Sequence, residues 1–199
     1  TTGTNGTKTY FVYADEGLVA EAGSTGNITK IYGYRPHSTW STDPLYLKEG
    51  ASTYYFQNDH LGTSQKLIGQ NGQVIWSARA EAFGITTVDS SSTVTNNLRF
   101  AGQYYDAESG LHYNWNRYYD PKVGRYVTSD PIGIDGGLNT YAYVQNNPLR
   151  WIDPTGLLLK CGCLPYTTTC KACWCRCFTG CKGTPPEEDY PGGPYGGGG

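Results

Sequence analysis

Arg117-Tyr118-Tyr119-Asp120-Pro121-Lys122-Val123-Gly124-Arg125-Tyr126 reads as a strand, a turn and the start of a second strand. The tyrosine pair suits a half-buried sheet, with a greasy ring and a hydroxyl that can reach water or backbone. Asp-Pro followed by glycine has turn chemistry. The same order recurs upstream. Gln103-Tyr104-Tyr105-Asp106 leads to Ser109-Gly110-Leu111, and Tyr54-Tyr55-Phe56 leads to Asp59-His60-Leu61-Gly62-Thr63. Each unit runs aromatic pair, acidic or amide turn, glycine, strand. A loose repeat of this kind implies stacked β-units that rely on their neighbours to bury a face.

Working outward, strands are expected at 10–13, Gly17–Ala22, Ile28–Tyr34, 65–68 and 73–80. Ser24-Thr25-Gly26-Asn27 and Gln70-Asn71-Gly72 supply hairpin turns between them. Residues 88–97, rich in Ser, Thr and Asn, are expected to form an exposed loop. Nothing before residue 130 shows helical periodicity. Residues 139–144 fit a short helical turn or a strand, and periodicity does not decide between them. Residues 1–9 read as a linker or a severed upstream repeat.

Bulk properties narrow the function. A chain of 199 residues suggests one domain with a small appendage. A formal charge of −2 with 16% charged residues gives no basic footprint for nucleic acid and no acidic tract to recruit a partner. Of the 38% hydrophobic residues, 18 are tyrosines, which points again to sheet. Methionine is absent, so the chain is expected not to begin at a natural start codon. No apolar run approaches the ~20 residues of a membrane span, and no basic-then-apolar signal segment opens the chain. Delivery outside the cell would have to be encoded elsewhere. All seven cysteines lie from Cys161 to Cys181, so the sharpest compositional boundary falls just after Leu157.

The ordered motifs resemble the Rhs repeat-associated core domain, built from YD repeats. Asn58-Asp59-His60-Leu61-Gly62-Thr63 is similar to one family element, and Arg99-Phe100-Ala101-Gly102-Gln103-Tyr104-Tyr105-Asp106 with Gly110-Leu111-His112-Tyr113-Asn114 to the next. The unit starting at Arg117, then Ser129-Asp130-Pro131-Ile132-Gly133, 139–147 and the closing Pro148-Leu149-Arg150-Trp151-Ile152-Asp153-Pro154-Thr155-Gly156-Leu157 complete the series. The likeness covers 10–157. It implies an all-β hairpin sheet at the C-terminal end of a hollow Rhs-type β-shell. It also implies a chain cut after the motif's leucine, with a variable toxin enclosed. Proteins of this kind serve as components of insecticidal toxin complexes and as secreted interbacterial effectors, so the partners implied are an upstream YD-repeat shell, a delivery machine and an immunity protein. The chain departs in two ways: it holds too few repeat units to close a shell, and its tail is short for an enzymatic toxin.

Two Asp-Pro-x-Gly turns, at Asp130 and Asp153, carry the chemistry. Proline restrains the residue before it to extended geometry, and the glycine permits a tight turn. Two carboxyls sharing one proton can hydrolyse a peptide: like charges a few Å apart cannot both ionise, so one acts as base and the other as acid. The resemblance adds Arg117 as the third member and puts the cut between Leu157 and Leu158. The plainer alternative is that both Asp-Pro-x-Gly segments merely end strands. His60 and His112 fit no short metal motif and read as turn or interior hydrogen-bonding residues. Ser129 lacks a nucleophile elbow.

The segment 158–184 packs its cysteines too densely to bury a core, so cross-links must hold any fold it has. Three disulfides with a free thiol are one possibility. Zn²⁺ is the other, with Cys170, Cys173, Cys175 and Cys177 as ligands and Cys170/Cys173 the best-spaced pair. Residues 185–199, rich in Pro and Gly, are expected to be disordered. The expectation is an all-β carrier core that cuts itself and releases a small Cys-rich cargo, secreted or delivered to a target cell. Two alternatives stand beside it: a catalytically silent, carbohydrate-contacting surface module, and a tail that is itself a disulfide-knotted or metal-binding toxin.

Overall fold

The structure, a computed structural model, describes residues 8–36, 38–157 and 160–161. The described residues are nearly all β. Eight strands follow one another in a single antiparallel meander: β1 (Tyr10–Ala14), β2 (Gly17–Ala22), β3 (Ile28–Tyr34), β4 (Pro44–Glu49), β5 (Ser52–Asn58), β6 (Ser64–Gly69), β7 (Val74–Ala80) and β8 (Thr86–Val88). A second meander holds β9 (Leu98–Phe100), β10 (Gln103–Tyr105), β11 (His112–Asn114), β12 (Arg117–Asp120) and β13 (Arg125–Tyr126). A short ribbon pairs β14 (Trp151–Ile152) with β15 (Lys160–Cys161), Trp151 opposite Cys161. Every connection within a meander is local, as the repeated turn signals require.

The larger sheet is bent. Register shifts interrupt five of its pairings, at Val12/Tyr13, Glu21/Ala22, Gly33/Tyr34, Gln57/Asn58 and Leu67/Ile68. Each such bulge adds local twist and curves the strand. Its inner face buries Leu18, Tyr32, Leu47, Leu67 and Trp76. Strand β9 joins the two sheets: Leu98 enters this core, while Phe100 enters a second, aromatic one with Tyr119, Tyr126 and Tyr143. The rings of that second core stack and tilt against one another, with Tyr119 and Tyr143 centroids 4.7 Å apart, an arrangement that adds to simple burial. A polar joint ties the sheets together. The Tyr32 hydroxyl donates to buried Glu21 at 2.6 Å, the Tyr104 hydroxyl donates to the same oxygen at 3.2 Å, and Lys30 reaches the Thr95 carbonyl at 2.6 Å.

Two expectations need correction. Residues 88–97 are not an exposed loop throughout. Val88 belongs to β8, the Thr93 N–H bonds the Ile75 carbonyl at 2.9 Å, and Asn96 is fully buried. The Asn96 side chain accepts from the Leu98 N–H and donates to the Leu98 carbonyl, both at 3.1 Å, so its polarity is spent locally and burial costs little. Residues 139–144 form no strand, and only the last of them enters a helical turn. They are turns and bends with a bridge between Ala142 and Arg125, until Val144 opens a 3₁₀ turn, Val144–Asn146. The YD-type turn residues end strands where expected, but β4 carried no turn–strand signal because it opens on Pro44.

Candidate active site

Arg117 opens β12, and its register partner across the β11–β12 turn is Asn114. This turn holds the segment that follows β14. Asn114 Nδ2 donates to the Asp153 carbonyl at 2.7 Å, Asn116 Nδ2 to the Thr155 carbonyl at 2.9 Å, and Arg117 Nε to the Gly156 carbonyl. Gly156, at φ +69°, passes so close that an added Cβ would stand 2.6 Å from the Asn114 carbonyl oxygen. Only glycine meets both demands at that position.

The two Asp-Pro-x-Gly turns divide their oxygens in the same way. Asp130 Oδ1 accepts the Ile132 N–H at 3.1 Å, and Asp153 Oδ1 accepts the Leu157 N–H at 3.0 Å. The other oxygen of each faces inward. Arg117 Nη2 lies 2.8 Å from Asp130 Oδ2 and 3.4 Å from Asp153 Oδ2. All three side chains are almost wholly removed from solvent, at 2–4% exposure. Arg117, which the resemblance adds as the third member, stands between the two carboxyls, its Nη2 touching both.

Further groups surround the cluster. The Tyr126 hydroxyl donates to Asp153 Oδ2 at 2.8 Å and accepts from Asn114 Nδ2 at 2.8 Å. The Arg117 guanidinium lies 3.6 Å from the centre of the Tyr126 ring, a cation–π contact in a desolvated place. Arg117 Nη1 donates to the Thr140 carbonyl at 2.9 Å. Burial pushes the Asp153 carboxyl above its ordinary value, against the hydrogen bonds from Tyr126 and Leu157 and the charge of Arg117, which pull it down. Burial and then the charge of Asp153 push the Tyr126 hydroxyl well up. A cleft of about 340 Å³ opens beside the cluster, lined by Arg117, Gly136, Leu138, Asn139, Asp153 and Leu157.

The structure therefore brings Asp130, Asp153, Arg117 and Leu157 together from three separate stretches, Asp153 and Leu157 sharing one turn. Leu158 lies outside the described residues, as do Cys170, Cys173, Cys175 and Cys177. Tyr126, Asn114 and Gly136 escaped the sequence reading. Tyr126 closes the same motif that Arg117 opens, but only the register of β12 with β13 shows that it turns inward. The other polar candidates stand elsewhere. His60 bonds the Leu149 carbonyl at 3.0 Å on the surface. His112 bonds Gln103 at 2.9 Å in the aromatic core, where burial lowers its pKa to about 4. Ser129 donates to Thr140 Oγ1 at 2.9 Å in an exposed position.

The family model described as RHS protein matches residues 53–89. Two curated relatives match over about three quarters of the chain. Double-stranded DNA deaminase toxin A of Burkholderia cenocepacia is 41% identical over 175 residues, which is 78% of this chain and 12% of that protein. The tRNA3(Ser)-specific nuclease WapA of Bacillus spizizenii is 32% identical over 160 residues, or 76% of this chain and 7% of that one. Among solved structures, TcdB2-TccC3 without its hypervariable C-terminal region superposes with a TM-score of 0.59 at 25% identity, covering 79% of this chain and 8% of that one. The class is that of Rhs proteins. Within it, this chain carries an Rhs-family core domain. It spans about an eighth or less of each of these proteins. No helix among the described residues is long and apolar enough to cross a membrane.

Proposed function

We propose that this domain is the cutting end of a toxin carrier, and that it hydrolyses its own chain between Leu157 and Leu158. The observation that carries the reading is that one buried guanidinium nitrogen touches both carboxyls while one of them, Asp153, holds the Leu157 N–H. Asp130, ion-paired at 2.8 Å, is the base and takes a proton from a water that attacks the Leu157 carbonyl carbon. Asp153, whose charged form burial disfavours, is the acid. As the bond to Leu158 breaks, Asp153 protonates the leaving nitrogen. A carboxylate remains at Leu157 and an amine at Leu158. Arg117 sets the spacing of the pair and balances its charge.

The relatives support a carrier role. Proteins named for deaminating DNA and for cutting tRNA share this segment, as a common carrier joined to different cargoes would. Here the domain comprises 10–157, and the released cargo is the Cys-rich stretch 158–184 followed by 185–199. An upstream shell would surround it, and the whole would be secreted or delivered to a target cell. Intact mass of the full chain tests the cut: a fragment ending at Leu157 is expected from the wild type and is absent from Asp153→Asn. A wild type that folds and keeps its full mass would overturn the reading.

A second reading has its own support. Both aspartates spend Oδ1 on local turn N–H groups, as purely structural turn residues do. A catalytically silent module would then remain, and the same mass measurement decides between the two.

A further inference from the structure

Gly136 sits where no side chain can. A Cβ built on it would overlap Asp130 Oδ2, and would stand 2.9 Å from Asp130 Cγ and 3.1 Å from the Leu157 carbonyl oxygen. The Asp130 carboxyl and the carbonyl of the scissile bond therefore share the space beside one α-carbon. The neighbours of Gly136 need glycine for a different reason. Gly133 and Gly137 have φ of +64° and +133°, and neither has any atom within 4 Å of an added Cβ. Gly136 is not among the positive-φ residues. Its backbone would accept alanine; its surroundings would not.

We infer that Gly136 is a positioning residue for the cut: the missing side chain forms a notch that seats the Leu157 carbonyl against Asp130. This deepens the self-cleavage reading and rests on it. A methyl group in the notch must displace the carboxyl, the carbonyl or both. Displacements of about 1 Å between reacting groups can cost about 10²-fold in rate. A merely structural role would slow cutting only in step with the loss of melting temperature, as a strained neighbour does; a filled notch slows it well beyond that.

The test uses the full chain, pulse-labelled in cell-free synthesis, with conversion followed by mass. Gly136→Ala is expected to slow cutting by about 10²-fold, more than its change in melting temperature accounts for. Gly137→Ala strains the backbone next door but fills no notch, so it should lower the melting temperature and leave the rate within a few-fold of wild type. Equal rates for Gly136→Ala and wild type would overturn the inference and leave the self-cleavage reading standing. A wild type that never cuts would overturn that reading, and this inference with it. If Gly136→Ala folds poorly, Asp130→Ala added to it removes the overlap. In the Asp130→Ala background, Gly136→Ala should then cost far less melting temperature than it does in the wild type; an equal cost in both overturns the notch.

Discussion

The two meanders bury different things. Behind the eight-stranded sheet lie Leu18, Leu47, Leu67 and Trp76, whose fit rests on shape, with Tyr32, Glu21 and Lys30 adding a polar joint toward the other sheet. Behind the five-stranded sheet lie tyrosines together with Gln103, His112, Asn114, Arg117, Asp130 and Asp153. Apolar burial is forgiving of small errors in angle. A buried ionic cluster is not, because each group loses its hydration and needs its partners in place. The first region is a frame that could be repacked. The second is held to a single geometry, and its short strands and close backbone approaches serve that end.

That contrast can be broken or sharpened by experiment. The largest effect is expected from Arg117→Leu, which leaves two buried carboxyls without their shared cation. About 3–5 kcal/mol of stability should be lost at neutral pH in urea unfolding. The deficit should shrink in acid, where protonation removes the stranded charges. A loss below about 1 kcal/mol would mean that the cluster is far wetter than its burial indicates. Leu67→Ala, at a fully buried position of the frame, should cost about 2–5 kcal/mol by opening a cavity. That cost should be nearly the same at every pH, since no titrating group is touched.

The smallest effect is a slope. Burial raises the Asp153 pKa above its unfolded value. The folded state then holds a proton that the unfolded state has lost, so stability falls as pH rises from the ordinary carboxylate range through the folded pKa. Asp153→Asn should flatten that part of the stability–pH curve. An unchanged slope would mean that the carboxyl titrates as it does in the unfolded chain.

Much of the frame was legible in the residues. Gly17–Ala22 and Ile28–Tyr34 emerge with the expected bounds because the turn 24–27 between them states its own chemistry. Strand β4 was not legible: Pro44 opens it, and Leu45 and Tyr46 are both exposed, so no alternation announces it. Asn96 was misread because composition cannot show that a polar side chain will satisfy its own neighbour's backbone. For the candidate site, Asp130, Asp153 and Arg117 could be named from their motifs. Their surroundings could not. Tyr126 and Asn114 reach Asp153 only through strand register, and Gly136 matters only because two other segments converge on it.

The ribbon of β14 and β15 has one more consequence. It joins the residues just before Asp153 to Lys160–Cys161, on the far side of Leu157. Breaking the backbone anywhere in the intervening loop leaves the two new ends latched by their ladder. A lone two-stranded ribbon is marginal in water. Were the chain cut there, scission and departure would be separate events, the second timed by how long a latch two residues wide stays shut.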